Sequence, residues 1–207
     1  DGLCGRDKVV RYLAQTYGAA VGYKAGLTNP AVQKRFNYNA PLRGTLFRSM
    51  LVDDGAEVPA AFGARPVFEA DLVVEVGNPV GLARATTPGE ALRHIKSVRP
   101  FIELPDLMVD DPSKLGGPML AMINVGARLG VLGKPVAAKH DKALAEALAL
   151  MTVSLTDGAG TVIEISAMSG WEVISRRQWH CRRMSSRGAT CCARRSTPTR
   201  RRCCRRC

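Results

Sequence analysis

Glu69 and Asp71 stand two residues apart in a run, Val67 to Val76, whose character alternates from one residue to the next. That alternation predicts a strand with Phe68, Ala70, Leu72, Val74 and Val76 on one face and Val67, Glu69, Asp71, Val73 and Glu75 on the other. Glu69 and Asp71 then project the same way, about 6–7 Å apart along the strand. Buried together, two carboxylates repel, and a hard divalent cation with oxygen ligands removes that cost. Glu103 offers a third: in Phe101-Ile102-Glu103-Leu104 the acid is flanked by apolar residues, an unusual setting for a solvated position. Three carboxylates plus waters suit Mg²⁺ or Mn²⁺ and leave positions open for a chelating substrate. The same alternation equally describes a half-exposed strand whose outer face is simply wet. Lys24 carries a similar pair of readings. It follows the apolar run Ala19 to Tyr23 and precedes a Gly26 turn, which suits a site lysine at a strand end and also suits an ordinary solvated one.

The elements that must position these residues are legible in outline. Asp7 is a candidate cap for a helix over 8–17, with Val9, Val10, Leu13 and Tyr17 on one side and Gly18 ending it. Ala19 to Tyr23 reads as a short buried strand. Gly26 to Pro30 is a turn, Ala31 to Phe36 a short helix, and Asn37 to Arg43 a loop. Asp53, Asp54 and Gly55 mark another turn, and Gly77, Asn78 and Pro79 stop the acidic strand. Thr87-Pro88-Gly89-Glu90 forms a capping box with Pro at the first helical position, and Ala91, Leu92, Ile95 and Val98 predict a helix running to about Val98. Phe101 to Leu104 is a short strand, and Asp110 to Pro118 a loop. Met119 to Val125 and Val131 to Ala138 look like further strands. Asp141 to Met151 reads as helix, and Thr152 to Leu155 with Thr161 to Ile165 as a hairpin. Many strands with few helices predict an α+β fold on antiparallel or mixed sheet.

Composition divides the 207 residues sharply. Twelve of the 30 basic residues are arginines after Glu172, where no acid follows, so the first 172 residues hold 18 basic against 18 acidic side chains. The net charge of +12 therefore belongs to the C-terminal stretch alone. The organisation expected is a body over 1–168 and an Arg/Cys-rich tail over 169–207. The tail pairs arginines with Cys181, Cys191, Cys192, Cys203, Cys204 and Cys207 and has no apolar period to fold on. It is the composition that a GC-rich coding region gives when read out of frame. Two alternatives stand beside this: polyanion or nucleic-acid binding through the arginines, and zinc binding through His180 and the cysteines, of which only Cys204-Arg205-Arg206-Cys207 has the C-x-x-C spacing. No apolar stretch reaches 18 residues, which argues against a membrane-spanning helix, and a cytoplasmic location is expected.

The segment Val21-Gly22-Tyr23-Lys24-Ala25-Gly26-Leu27-Thr28, continuing through Ala31-Val32-Gln33 to Gly44-Thr45-Leu46, resembles the 2-keto-4-pentenoate hydratase/4-oxalocrotonate decarboxylase family of the fumarylacetoacetate hydrolase superfamily. Phe68-Glu69-Ala70-Asp71 resembles that family's acidic metal strand, and Pro100-Phe101-Ile102-Glu103 the segment of its third ligand. Asn124-Val125-Gly126-Ala127 followed by Leu132-Gly133 is similar to a later family stretch. The resemblance covers about residues 5–165. It implies a rolled, barrel-like mixed β-sandwich with peripheral helices, here without the N-terminal lead-in and with the C-terminal strands missing or altered. It implies Glu69, Asp71 and Glu103 as ligands of Mg²⁺ or Mn²⁺, Lys24 as the catalytic lysine, and Lys24, Leu27 and Thr28 as substrate contacts. Asp71 replaces the family's more usual Glu, and Asn39 falls where it often shows Asp. The implied activity is a homo-oligomeric hydratase adding water to a 2-hydroxy-dienoate or 2-oxo-alkenoate from aromatic-compound breakdown. Decarboxylation of a 2-oxo diacid and cleavage of a 1,3-dicarbonyl acid use the same electron sink.

Overall fold

The computed structural model describes residues 2–138 and 142–167. The expectations placed on the Arg/Cys-rich tail, including the boundary at 168, lie outside the described residues. Helix α1 (Gly2–Tyr17) begins earlier than its sequence suggests. Asp7 therefore sits inside the helix, not at its cap, and its carboxylate accepts from the Arg6 guanidinium at 3.0 and 2.7 Å. Its inner positions include Arg6, Val9, Val10, Leu13 and Tyr17, the expected stripe. Gly18, with φ 77°, takes the left-handed conformation that closes the helix.

Strand β1 (Ala20–Gly26) pairs antiparallel with β2 (Leu42–Phe47) as a two-stranded ribbon. The expected burial of β1 does not hold, because among the described residues the strand has this one partner and its outer face is exposed. Val21 and Tyr23 face outward, while Gly22, Lys24 and Gly26 take the inner positions. Between the strands, α2 (Pro30–Arg35) is capped by Asn29, whose side chain accepts from the Ala31 N–H at 2.8 Å.

The larger sheet runs in the order β3-β6-β5-β4, from β3 (Leu51–Asp53), β6 (Leu129–Leu132), β5 (Ile95–Leu104) and β4 (Glu69–Val76), with β7 (Val136–Ala137) beside β5. β3 and β6 are parallel and the other pairs antiparallel, so the sheet is mixed. The α+β class is as expected. Among the described residues the sheet is open and no barrel closes.

Three sequence expectations are corrected here. The capping box is present, with Thr87 Oγ1 accepting from the Glu90 N–H at 3.2 Å, but α4 stops at Leu92 after starting at Pro88. Ile95 and Val98 belong to β5: their spacing also fits a strand, and pairing along the whole of β4 decides the matter. Met119 to Val125 is not a strand. It divides into α5 (Gly117–Met122) and a left-handed turn at Asn124 and Val125, with φ 58° and 56°. Val131 to Ala138 is two short strands, β6 and β7, not one. A short helix, α3 (Pro79–Leu82), follows Asn78, whose side chain accepts from the Gly81 N–H. Helix α6 (Lys142–Ala149) and the hairpin of β8 (Thr152–Thr156) and β9 (Val162–Ala167) follow as expected.

Two apolar clusters hold this frame. Leu27, Leu42, Leu115, Leu120, Ala121 and Val125 lock the β1–β2 ribbon to α5 and the turn after it. Leu92, Ile95, Val98 and Leu148 join β5 to α4 and α6. Each buried Leu, Ile or Val contributes about 1.5–3 kcal/mol. The first cluster fixes the strand that carries Lys24, and with it the position of that lysine relative to β5.

Candidate active site

Register brings the acids together first. Glu69 lies directly opposite Glu103 across the antiparallel β4–β5 pair, and Asp71 lies opposite Phe101. Opposed residues share a face, so Glu69, Asp71 and Glu103 converge on one side of the sheet. Phe101, also on that side and buried, packs over Gly130, where a Cβ would run into its ring. The acids thus have an apolar flank. Glu103 is 2% exposed, Asp71 half-buried and Glu69 exposed.

The fourth member comes from the other sheet. Lys24 reaches from β1 and forms an ion pair with Oε1 of Glu103, both side chains being almost wholly buried. Its stem passes the backbone of Gly44, its partner in β2. A Cβ at Gly44 would lie 2.6 Å from the Asn124 carbonyl oxygen and 2.8 Å from Cγ of Lys24, so only glycine fits there. Among the described residues the Lys24 ammonium is the partner of Glu103 Oε1.

The electrostatics follow from this placement. Burial pushes the Glu103 carboxyl above its ordinary value; the charge of Lys24 works against that, and the charges of Glu69 and Asp71 work with it. Asp71 is also raised, again first by burial, with the Leu72 N–H and Lys24 opposing and Glu69 adding to the shift. The Leu72 N–H donates to Asp71 Oδ1 at 2.7 Å. Two carboxyls with raised values beside a buried ammonium hold protons more readily than solvated carboxyls do, and can give up the ammonium to an incoming carboxylate.

A metal cage is another matter. Among the described residues no three His, Cys, Asp or Glu side chains are gathered closely enough to hold a metal ion. The donors have the right chemistry for a hard cation and face the right way. As arranged they do not fit one: the Lys24 ammonium stands against Glu103, Asp71 bonds its own neighbour's N–H, and Glu69 points to open surface. Leu27 is packed in the first core cluster, and Thr28 is exposed at the end of the same segment.

Sequence reasoning missed the residue that holds this corner together. Asn124 is fully buried, and its amide pairs with the backbone of Thr45 as a strand would. The Thr45 N–H donates to Asn124 Oδ1 at 2.7 Å, and Asn124 Nδ2 donates to the Thr45 carbonyl at 2.9 Å. The available signal was a polar Asn before Val-Gly inside an otherwise apolar run. The cavity beside the acidic strand, about 290 Å³ and lined by Val58, Phe62, Phe68 and Leu104 among others, is not this site. Phe68 and Leu104 alternate to the face opposite Glu69 and Glu103.

Known proteins show likenesses of two kinds. Over 54 residues, 26% of this chain, the sequence is 44% identical to a 2-keto-4-pentenoate hydratase of Burkholderia vietnamiensis (strain G4 / LMG 22486), covering 21% of that protein. Over 91 residues, 44% of this chain, it is 33% identical to 2-keto-4-pentenoate hydratase 2 of Dechloromonas aromatica (strain RCB), covering 34% of it. The chain thus matches about a fifth to a third of the length of these curated relatives. The fold resembles that of 4-oxalocrotonate decarboxylase from Pseudomonas putida G7, solved with magnesium and adipate. The TM-score is 0.61 at 21% identity, over 81% of this chain and 62% of that one. The same enzyme with calcium and acetate gives a TM-score of 0.59. No family model matches the chain. The resemblance to the hydratase/decarboxylase family is borne out, over part of its length. No helix among the described residues is long and apolar enough to cross a membrane.

Proposed function

We propose that this chain is a cytoplasmic hydratase-type lyase acting on a small 2-hydroxy-dienoate or 2-oxo-alkenoate. The observation that carries this is the buried Lys24–Glu103 pair, set beside Asp71 and Glu69 where two sheets meet. The hydratase names of the sequence relatives support the substrate class.

Lys24 takes the substrate carboxylate in this reading, which its burial and its present carboxylate partner support. Glu103, released from Lys24, has its charged form disfavoured by burial and is suited to accept a proton. In the chemistry proposed, the 2-hydroxyl proton is removed and the far carbon of the dienol is protonated, leaving a 2-oxo acid conjugated to an alkene. Water then adds across that alkene, its oxygen bonding the carbon distal to the carbonyl and its proton the nearer one. Glu103 and Asp71 are the proton carriers, and the Leu27–Thr28 segment beyond Lys24 borders the substrate.

The hard-oxygen donor set on one face of the sheet supports a second reading, in which Glu69, Asp71 and Glu103 gather around a divalent cation, Mg²⁺ or Mn²⁺. When bound, such an ion polarises a chelated 2-oxo acid. The magnesium and calcium complexes of 4-oxalocrotonate decarboxylase support it at the level of fold. Decarboxylation and carbon–carbon cleavage are the alternative reactions, and a homo-oligomer is the assembly proposed. Loss of dienoate absorbance, followed with and without Mg²⁺ or Mn²⁺ against a panel of 2-oxo acids, tests all three reactions. Lys24→Met should lower turnover by about 10²-fold or more; a Lys24→Met protein that keeps the parent rate rules this site out.

A further inference from the structure

Lys24 and Glu103 belong to different sheets, so their separation is set by what joins the sheets. Asn124-Val125-Gly126 touches both. Asn124 holds β2 through its two hydrogen bonds with the Thr45 backbone. The Gly126 carbonyl accepts from the Asp106 N–H at 2.8 Å, just beyond the end of β5 and close in sequence to Glu103. Between these anchors Val125 lies against β1, where a Cβ at Gly26 would run into its Cγ1. The Asn124 carbonyl closes on Gly44 in the same way. Gly26 follows Lys24 on the same strand, and Gly44 stands opposite Lys24 in register. The backbone between the anchors is strained. Asn124, Val125 and Gly126 are all left-handed, with φ 58°, 56° and 68°. Glycine takes that conformation freely and asparagine at small cost, but a β-branched valine takes it only where its surroundings over-determine it. A glycine at 125 would relieve the backbone and lose the contact with β1.

We infer that Asn124 and Val125 are positioning residues for Lys24, and that the turn they form is the spacer that sets its ammonium on Glu103. This rests on the reading of Lys24 as the residue that meets the substrate. A lysine stem has four carbons and rotates freely, so its ammonium stays at one place only if the stem is confined. The confinement comes from two sides. Asn124 fixes β2, and with it Gly44, over whose backbone the Lys24 stem runs. Val125 bears on Gly26 and so fixes the end of β1. The Gly126 carbonyl ties the same turn to the strand that carries Glu103. The strain at Val125 is therefore placed where it orders the site, since its side chain supplies the contact that a relaxed glycine turn would lack.

The test reads the setting of Lys24 in the full chain. Native protein is treated with an amine-reactive reagent at one fixed pH, and peptide mass spectrometry gives the labelling of buried Lys24 relative to exposed Lys96 and Lys114. Val125→Gly should raise that ratio roughly fivefold or more. Leu120→Ala loosens the same core cluster but removes none of the turn's contacts with β1 and β2, and should leave the ratio at the parent value. Adding Gly26→Ala to Val125→Gly refills the vacated space and should bring the ratio back down. An unchanged ratio in Val125→Gly, or an equal rise in Leu120→Ala, overturns the inference. If Val125→Gly does not fold, Gly26→Ala alone presses a Cβ on Val125 and should raise the ratio; no rise overturns the inference. Turnover decides the reading beneath it separately. A parent protein inactive on every 2-oxo acid and dienoate removes the lyase proposal, while the labelling ratios still decide the spacer. With turnover present, Val125→Gly should raise KM about tenfold and lower kcat less; an unchanged KM overturns the positioning role.

Discussion

β4 and β5 are crossed by acids at both ends, and the two ends differ in almost everything except sequence pattern. At one end Glu75 lies opposite Ser97. It accepts from Lys96 Nζ at 2.8 Å and from Ser97 Oγ at 2.8 Å, in an ion pair whose side chains are 69% and 41% exposed. At the other end Glu103 lies opposite Glu69 and pairs with Lys24, where the exposures are 9% and 2%. Lys96 and Ser97 hold the Glu75 carboxyl below its ordinary range, whereas burial lifts Glu103 above it. Identical side chains on one face of one sheet are thus pushed in opposite directions. What differs is the cover: Lys24 of a second sheet comes down on one end, and the other is open to water. An acid on an alternating strand is a candidate for chemistry only where something else comes down upon it.

The contrast can be broken most forcefully at the covered end. Lys24→Ala leaves Glu103 buried without a counter-charge and should cost about 3–5 kcal/mol in urea unfolding; a loss below about 1 kcal/mol would mean that the pair is solvated in practice. Next comes the support beneath it. Asn124→Ala strips both the N–H and the carbonyl of Thr45 of their partners and should cost about 2–4 kcal/mol. Asn124→Asp should not restore it, since a carboxylate cannot donate to the Thr45 carbonyl.

Smaller effects sharpen the comparison through pH. Glu103 and Asp71 have folded values above their unfolded ones. The stability they contribute is therefore complete in acid below the ordinary carboxyl range and is lost as pH rises through the raised values. Asp71→Asn should flatten that decline in the thermal midpoint, measured from about pH 4 upward; an unaltered slope would remove Asp71 from the buried set. Glu75 has the opposite sign. Its contribution is present above the ordinary glutamate value and disappears as pH falls through the lowered one. Glu75→Gln should be the mildest change of all, visible only in the acid limb of the same melting curve and fading with added salt.

How much of this could be read in advance varies with range along the chain. The acidic strand, the closing of α1 at Gly18, the Thr87 capping box and the hairpin of β8 and β9 rest on local alternation, caps and turn residues, and these survive folding. Ile95 to Val98 and Met119 to Val125 defeat a local reading because short apolar runs fit helix and strand equally, and the deciding contacts lie far off in sequence. Pro100, mid-strand in β5, hid the continuity of that strand. That Glu69 and Asp71 share a face was legible. That Glu103 stands opposite Glu69 rather than Asp71 was not, because register is set by pairing over the whole strand. The setting of Lys24, after an apolar run and before Gly26, suited a site lysine and a solvated one alike, and its approach to Glu103 from a different sheet left no local trace.

At the centre of the site, Lys24 and Glu103 form one energetic unit. A double-mutant cycle with Lys24→Met and Glu103→Gln, read by urea unfolding at pH 7, tests this directly. The prediction is a coupling of about 1.5–3 kcal/mol, with the double variant more stable than the sum of the two single losses implies. Losses that add to within about 0.5 kcal/mol would show two independent residues and contradict the site described here.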